Sequence, residues 1–357
     1  MAEVHQDFEG TTAVREQHRF DEAALAAWMA AHVEGYKGPL QVEQFRGGQS
    51  NPTYRLVAGS GRYVLRRKPP GQLLPSAHAV DREYKVMTAL AKAGFPVPRT
   101  HGLCEDPTVI GTPFFVMDCV DGRIFWDQSL PDMTGPQRAE IYDEMNRVIA
   151  ALHSVDCQAI GLGDYGRPGN YFARQIKRWS EQYRASETEK VEAFENLIVW
   201  LPANIPPGDE TTIVHGDFRM DNMIFHPREP RVLAVLDWEL STLGHPLADF
   251  SYHCMSWHIA PGAFRGIAGL DLKALNIPDE AAYIARYCER TGRTGIAHWD
   301  FYLAFSMFRI AAILQGIAKR AQIGTAASAQ AVETGKRARP MAELAWSRAE
   351  RVLRGAG

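Results

Sequence analysis

Apolar residues change their period part-way along this chain. Short runs come first and read as strands: Val42 to Arg46, Thr53 to Ala58 and Arg62 to Arg67. Gly and Asn clusters separate them, as in a meander of hairpins. A helix precedes them. It starts at Asp21, carries Ala24, Leu25, Trp28 and Val33 along its apolar side, and ends before Gly35. Pro69-Pro70-Gly71 stops the third strand, and His78 to Ala93 then places Val80, Tyr84, Met87 and Leu90 at helical spacing. A strand over Pro113 to Met117 closes this part. Beyond Gly122 the helical period takes over, in Pro136 to Val155, Tyr171 to Ala185, Glu192 to Leu201, Pro246 to His258, Glu280 to Arg290, Trp299 to Arg320 and Ala326 to Arg354. The pattern predicts an α+β chain. A small sheet-rich lobe covers 1–117, a hinge 118–122, and a large, mainly helical lobe 123–357. Ligands favour the crevice between such lobes.

One stretch of the helical part breaks its period. Ile213-Val214 leads into His215-Gly216-Asp217-Phe218-Arg219-Met220-Asp221-Asn222, and Met223-Ile224-Phe225 leads out. Val232 to Leu236 then runs into Asp237, so two short strands around Pro227 would carry polar residues to one edge of a core. Asp217 could accept a proton from an attacking hydroxyl. Asn222 and Asp237 offer the hard oxygen ligands that Mg²⁺ takes. A catalytic-loop Asp, an Asn five residues on and a later metal-holding Asp is the order used in metal-assisted phosphoryl transfer. The bland alternative is a pair of strands with Asp and Asn used for turn chemistry. Arg219 could offset charge on a transferred group. Asp249 follows Leu243-Gly244-His245-Pro246 and sits in the first turn of a helix, where a carboxylate is favoured. Asp249 and His215 are expected to brace the loop and take no part in the chemistry.

Composition narrows the setting. The chain has 357 residues, enough for two lobes, and a formal charge of −3, which argues against a general nucleic-acid or acidic-membrane binder. Five scattered cysteines (Cys104, Cys119, Cys157, Cys254, Cys288) form no Cys-x-x-Cys pair and fit reduced thiols in a cytoplasm. The polar N-terminus is no signal peptide. The apolar run Phe301 to Ala318 contains Arg309 and Gln315, and reads as too short and too polar to span a membrane.

The early strands hold what could bind a nucleotide. Gly47-Gly48-Gln49-Ser50-Asn51 lies between the first two, where backbone N–H groups of a Gly-rich turn can approach phosphate. A tight hairpin turn explains it equally well. Arg66, in phase with Val64, could hold donor phosphates, with Glu83 on the next helix fixing it. The alternative is a solvated Arg66-Arg67-Lys68 cluster beside an exposed Glu83. Strand alternation sends Arg66 and Arg67 to opposite faces. Met117 ends a strand where an adenine would meet the hinge, and the Asp118 carbonyl and Val120 N–H could read its edge.

In order, these pieces resemble the aminoglycoside phosphotransferase-like branch of the protein-kinase-like fold, over residues 40 to 260. The stretch Tyr63-Val64-Leu65-Arg66-Arg67-Lys68-Pro69-Pro70-Gly71 with Asp81-Arg82-Glu83-Tyr84 is similar to the subgroup fused to acyl-CoA dehydrogenases, which resembles kinases of hydroxy acids or hydroxyacyl-CoA. The resemblance implies an ATP (or GTP) donor with Mg²⁺, Asp217 as base, and Asn222 with Asp237 as metal ligands. Asp237-Trp238-Glu239 stands where protein kinases have Asp-Phe-Gly, and Arg66 replaces the usual Lys. A small-molecule acceptor follows. Arg174, Lys177 and Arg178 on one helix favour an anionic one, unless they are simply a solvated face. Trp179, Tyr252, Trp257 and Trp299 could instead cage a quaternary amine, as in a choline-type kinase, or sit in the core. A nucleotide-binding pseudokinase and a metallohydrolase using His215, Asp217, His245 and His253 are the competing readings.

Overall fold

The computed structural model of the chain describes residues 10–46, 51–69, 79–262, 264–324 and 331–355. The change of period does correspond to two compact units, but they do not divide at 118–122. One unit comprises Met1–Trp126, Gln158–Leu162 and Met220–Ser241, and the other Asp127–Cys157, Gly163–Arg219 and Thr242–Gly357. The segment Met220–Ser241, expected in the helical lobe, therefore belongs with the sheet. Its apolar side chains are the reason. Trp238 is fully buried with its ring against Phe95, and Val235 N–H donates to the Pro96 carbonyl at 2.9 Å.

The first unit is built on a six-stranded antiparallel sheet, ordered β1-β2-β3-β4-β6-β5. The strands are β1 (Thr11–Thr12), β2 (Gln41–Phe45), β3 (Thr53–Ala58), β4 (Gly61–Arg67), β5 (Thr100–Cys104) and β6 (Phe114–Asp118). Helix α1 (Glu22–His32) begins at Asp21, whose carboxylate accepts from Ala24 N–H at 2.9 Å. It buries Leu25, Trp28 and Met29 against Tyr54, Leu56, Leu65 and Phe114 of the sheet. Strand β5 was not expected, because Thr100-His101-Gly102-Leu103-Cys104 shows no apolar alternation. Gly102 is there for space: a Cβ would lie 2.9 Å from Trp28. Helix α2 (Val80–Lys92) buries Val80, Glu83, Val86, Met87 and Leu90. Its buried face thus takes a carboxylate, while Tyr84, expected on that face, is only half-buried. The hairpin Met223–Phe225 with Val232–Val235 completes the unit, in register Met223 to Val235.

The second unit is helical. It contains α3 (Gly135–His153), α4 (Tyr171–Ser186), α5 (Glu192–Ala203), α6 (Pro246–Cys254), α7 (Glu280–Thr291), α8 (Trp299–Gln322) and α9 (Ala338–Leu353). A capping box of Thr134 and Gln137, with Pro136 in the first turn, starts α3. Helix α8 lies at the centre and packs on α4, α6 and α9. At 24 residues it is long and apolar enough to cross a membrane, contrary to the expectation for Phe301 to Ala318. Burial of 83% of its most apolar window makes it the core helix of this unit, and Arg309 and Gln315 bond inside the fold. Of the helix expected over Ala326 to Arg354, 326–330 lie outside the described residues, and the rest forms a short helix, Ala331–Gly335, followed by α9. A two-stranded pair, Thr212–Val214 with Thr242–Gly244, brings the loop after Val214 close to the start of α6. All five cysteines are free.

Candidate active site

In the sheet unit the predicted cation and carboxylates converge. Arg66 and Arg67 leave β4 on opposite faces. Arg67 stacks over Phe20 and Tyr54, at 5.2 and 5.6 Å, and donates to the Ile110 carbonyl. The Arg66 side chain, 12% exposed, pairs with Glu83 at 2.9 Å and Asp237 at 2.7 Å, and lies 3.6 Å from Glu239. Neither a solvated cluster nor an exposed Glu83 survives this geometry. One guanidinium faces three carboxylates. Burial opposes the charge on Arg66, but Glu83, Asp237 and Glu239 outweigh it and hold the guanidinium protonated above its ordinary range. Burial, reinforced by Asp237 and Glu239 against Arg66, pushes the Glu83 carboxyl up to about 7.

Asn51 is the one described residue of the Gly-rich stretch. It is fully buried, and its Nδ2 donates to Glu83 Oε1 at 2.9 Å, so it orients the partner of Arg66. Gly47, Gly48 and Ser50 lie outside the described residues. Met117 is buried opposite Val64. Asp118 pairs with Tyr63 on the same strand, donates its N–H to Arg99 and accepts from His101 Nε2 at 2.7 Å. Val120, beyond the strand end, is half-buried.

Asn222 and Asp237 stand at the same end of the 223–235 hairpin. Asn222 immediately precedes one strand, Asp237 lies two residues after the other, and Leu236 N–H donates to the Asn222 carbonyl at 2.8 Å. Asp237 holds φ 67°, a left-handed conformation that costs a non-glycine residue energy. Its side chain remains 33% exposed. The hairpin brings two residues with hard oxygen donors, the kind a divalent cation takes, to one end, beside more carboxylates than guanidiniums. Glu239 joins them, a residue that sequence reasoning quoted without giving it a role.

In the helical unit the loop 215–219 is held from several sides. Gly216 adopts φ 82°, open to glycine without strain. Asp249, on the first turn of α6, accepts from His215 N–H at 2.7 Å and Gly216 N–H at 2.8 Å. Burial alone would raise the Asp249 pKa. The hydrogen bond and charge of His153, with His215 and its N–H, overcome this and hold it below the ordinary carboxylate range. His215 is fully buried, and its Nδ1 accepts from Asp217 N–H at 3.1 Å, which leaves the proton on Nε2. Both bracing roles expected of these residues have a geometric basis.

Asp217 is engaged at both oxygens. Tyr252 O–H donates to Oδ1, and Arg219 Nη2 lies 2.9 Å from Oδ2. Arg309 of α8 donates to the Gly216 carbonyl at 2.7 Å and places its guanidinium over Trp179 and Tyr252, at 5.7 and 5.5 Å. Two aromatics considered for an amine cage therefore already hold a cation of the chain itself. Trp257 packs on Tyr142 and Tyr283, and Trp299 bonds to Glu280. His253 bonds to the Tyr283 hydroxyl, and burial lowers its pKa to about 4. Among the described residues no group of three or more His, Cys, Asp or Glu is set to hold a metal ion.

Beside Asp217 the helical unit has a shallow, water-sized concavity of about 10 Å³. Phe218, Arg219, Tyr252, Met255, Phe264 and Arg265 line it. The predicted acceptor residues are not part of it. Lys177 and Arg178 are exposed, Lys177 lies 3.9 Å from Glu181, and Arg174 donates to the Arg167 carbonyl. The residues whose roles at the site were not foreseen had unequal signals. Arg309 interrupts an apolar run, and Tyr252 falls one helical turn after Asp249. Nothing in the sequence marks Arg265.

The model of the phosphotransferase enzyme family matches residues 41–304, about three quarters of the chain. The chain belongs to this family. It is 47% identical over 347 residues to mouse acyl-CoA dehydrogenase family member 10, covering 96% of the chain and 32% of that protein. The chain spans less than half the length of the curated relatives it matches first. A solved structure from Ralstonia eutropha JMP134, described as a candidate aminoglycoside phosphotransferase, is 63% identical. It superimposes with a TM-score of 0.87 over 93% of this chain and 99% of that one. Choline kinase from Cryptosporidium parvum superimposes at 0.64 over 94% and 98%, with 11% identity, which is a likeness of fold alone. The resemblance read from the sequence, in family and in fold class, is borne out. This phosphotransferase carries the kinase-like α+β fold.

Proposed function

We propose that this phosphotransferase moves a phosphoryl group from ATP to a hydroxyl of a small molecule, a hydroxy acid or hydroxyacyl-CoA. Asp217 acts as base. The observation that carries this is the state of Asp217: a carboxylate oriented by Tyr252 and Arg219, on a loop clamped by Asp249 and Arg309, at the edge of a pocket. Such positioning is what phosphoryl transfer asks of a protein. Asn222 and Asp237 would hold Mg²⁺, which neutralises charge on the phosphates when bound. Arg66 would keep Asp237 in place through its 2.7 Å contact, with Glu83 and Asn51 behind it. The acyl-CoA dehydrogenase names of the relatives favour an acyl or hydroxyacyl acceptor, and the Arg309-filled aromatic pair disfavours a quaternary amine there. The scattered free cysteines support a reducing, cytoplasmic setting. The test is ADP release from ATP·Mg²⁺ across a panel of hydroxy acids, hydroxyacyl-CoAs, choline and aminoglycosides. Asp217→Ala should lower kcat by about 10²–10⁴ with an accepted acceptor. Unchanged turnover in that variant would mean Asp217 is not the base.

A further inference from the structure

We infer that Arg309 is a positioning residue for the phosphoryl transfer, setting both the backbone and the carboxylate of Asp217. This rests on the reading of Asp217 as base and adds to it the device that aims that base. Arg309 lies near the middle of the 24-residue helix α8 and is 6% exposed. Its Nη2 donates to the Gly216 carbonyl at 2.7 Å. That carbonyl and the Asp217 N–H are the two ends of one peptide group, and His215 Nδ1 holds the N–H at 3.1 Å. The planar group leading into Asp217 is therefore fixed at both of its polar atoms. On the side-chain route, the guanidinium lies 5.5 Å from the Tyr252 ring centre, and Tyr252 O–H donates to Asp217 Oδ1. Burial, reinforced by Asp217, pushes the Tyr252 hydroxyl well above its ordinary range, so it stays a donor. One guanidinium thus reaches the base by two routes.

Packing alone does not call for this residue. Among the described residues Arg309 forms no ion pair with a carboxylate, so its charge is met by one carbonyl and by the rings of Trp179 and Tyr252. A charge in a core costs energy that an apolar side chain of similar volume avoids. The register that delivers it is built in. Ser251, next to Tyr252, donates to the Tyr302 carbonyl at 3.0 Å, and its hydroxyl lies 2.9 Å from that of Ser306. Ser306 is buried on α8 three residues before Arg309, so one helical turn separates the α6–α8 bond from the cation. Trp179 supplies the second ring at 5.7 Å, with its Nε1 bonded to Gln175 at 3.1 Å on α4.

The experiment uses the full chain as wild type, Arg309→Met, Arg309→Lys, Tyr252→Phe, Asp217→Ala and the double variant of Arg309→Met with Tyr252→Phe. ADP release from ATP·Mg²⁺ is measured with the best acceptor among hydroxy acids, hydroxyacyl-CoAs, choline and aminoglycosides, or with water where none is used. Urea midpoints report stability, and hydrogen exchange of the peptide 213–219 reports the loop. Arg309→Met should lower kcat by about 30-fold or more, with the KM for ATP within about threefold, the pattern of a misaimed reacting group. Its urea midpoint should stay within about 0.5 M of wild type, because methionine fills the space without a buried charge. Exchange over 213–219 should quicken by about tenfold or more. Arg309→Lys should recover only part of kcat, since an ammonium lacks the planar fork. The double variant should lose less than the product of the two single losses, by about threefold or more. A kcat within about threefold of wild type in Arg309→Met, unchanged exchange over 213–219, strictly multiplicative losses, or a midpoint that falls in step with kcat each overturns the inference. Faster exchange and lost turnover in Arg309→Met, beside unchanged turnover in Asp217→Ala, supports the hold of Arg309 on the loop and sinks Asp217 as base.

Discussion

Asp249→Ala is the perturbation whose cost can be worked most directly from the structure. The wild-type carboxylate is 2% exposed and accepts two consecutive backbone N–H groups, at 2.7 and 2.8 Å. His215 and Gly216, which own those N–H groups, are buried, so water does not replace the lost acceptor. An orphaned buried donor costs about 1–3 kcal/mol, so the pair amounts to about 2–6 kcal/mol. His153, 3.4 Å from the same carboxylate, loses a partner as well. Asp249→Asn keeps one carbonyl acceptor but turns an NH₂ towards the second N–H, and should cost about half as much. Urea unfolding read by fluorescence of the eight tryptophans gives the midpoints. The ranking wild type, then Asn, then Ala is expected, with turnover falling in the same order as the loop 215–219 loosens. Destabilisation below about 0.5 kcal/mol in Asp249→Ala would refute the clamp.

Two further predictions follow the same logic. Tyr252→Phe removes the donor on Asp217 Oδ1 while keeping the ring against Arg309, so the carboxylate loses its orientation and kcat should fall by about tenfold with the KM for ATP unchanged. An unchanged kcat counts against that bond. The stability of the protein should also depend on pH in a way traceable to Glu83. Its folded pKa is raised to about 7 from an ordinary 4.5, so its stabilising contribution is complete below 4.5 and lost as pH rises through 7. The shift corresponds to at most about 3 kcal/mol, and Glu83→Gln should flatten the slope of urea midpoint against pH in that window; an identical slope in the variant would exclude Glu83 as its source.

Much of the site could be read from local pattern. Asn222 and Asp237 flank two short apolar runs, and a hairpin built from such runs must bring its outer ends together. The pairing of Arg66 with Glu83 follows from strand alternation and helical phase. Arg67, read from the same alternation, goes to the opposite face, where Phe20 and Tyr54 cover it. Strand β5 escaped notice because its residues carry no apolar alternation, and its Gly102 makes sense only once Trp28 lies above it.

The sequence by itself determined the two periods, the order of elements and the acid–amide–acid series of Asp217, Asn222 and Asp237, because strands, helices and turns are set by neighbours a few residues apart. Only the tertiary structure decided which unit Met220–Ser241 joins, and that Arg309 reaches Gly216 across 93 residues. It also decided that Tyr252 caps Asp217 and that Arg66 meets Asp237 across 171 residues. These contacts depend on where buried surfaces come to rest against one another. No local period encodes that, so a polar residue in an apolar run, such as Arg309, announces a partner without naming it.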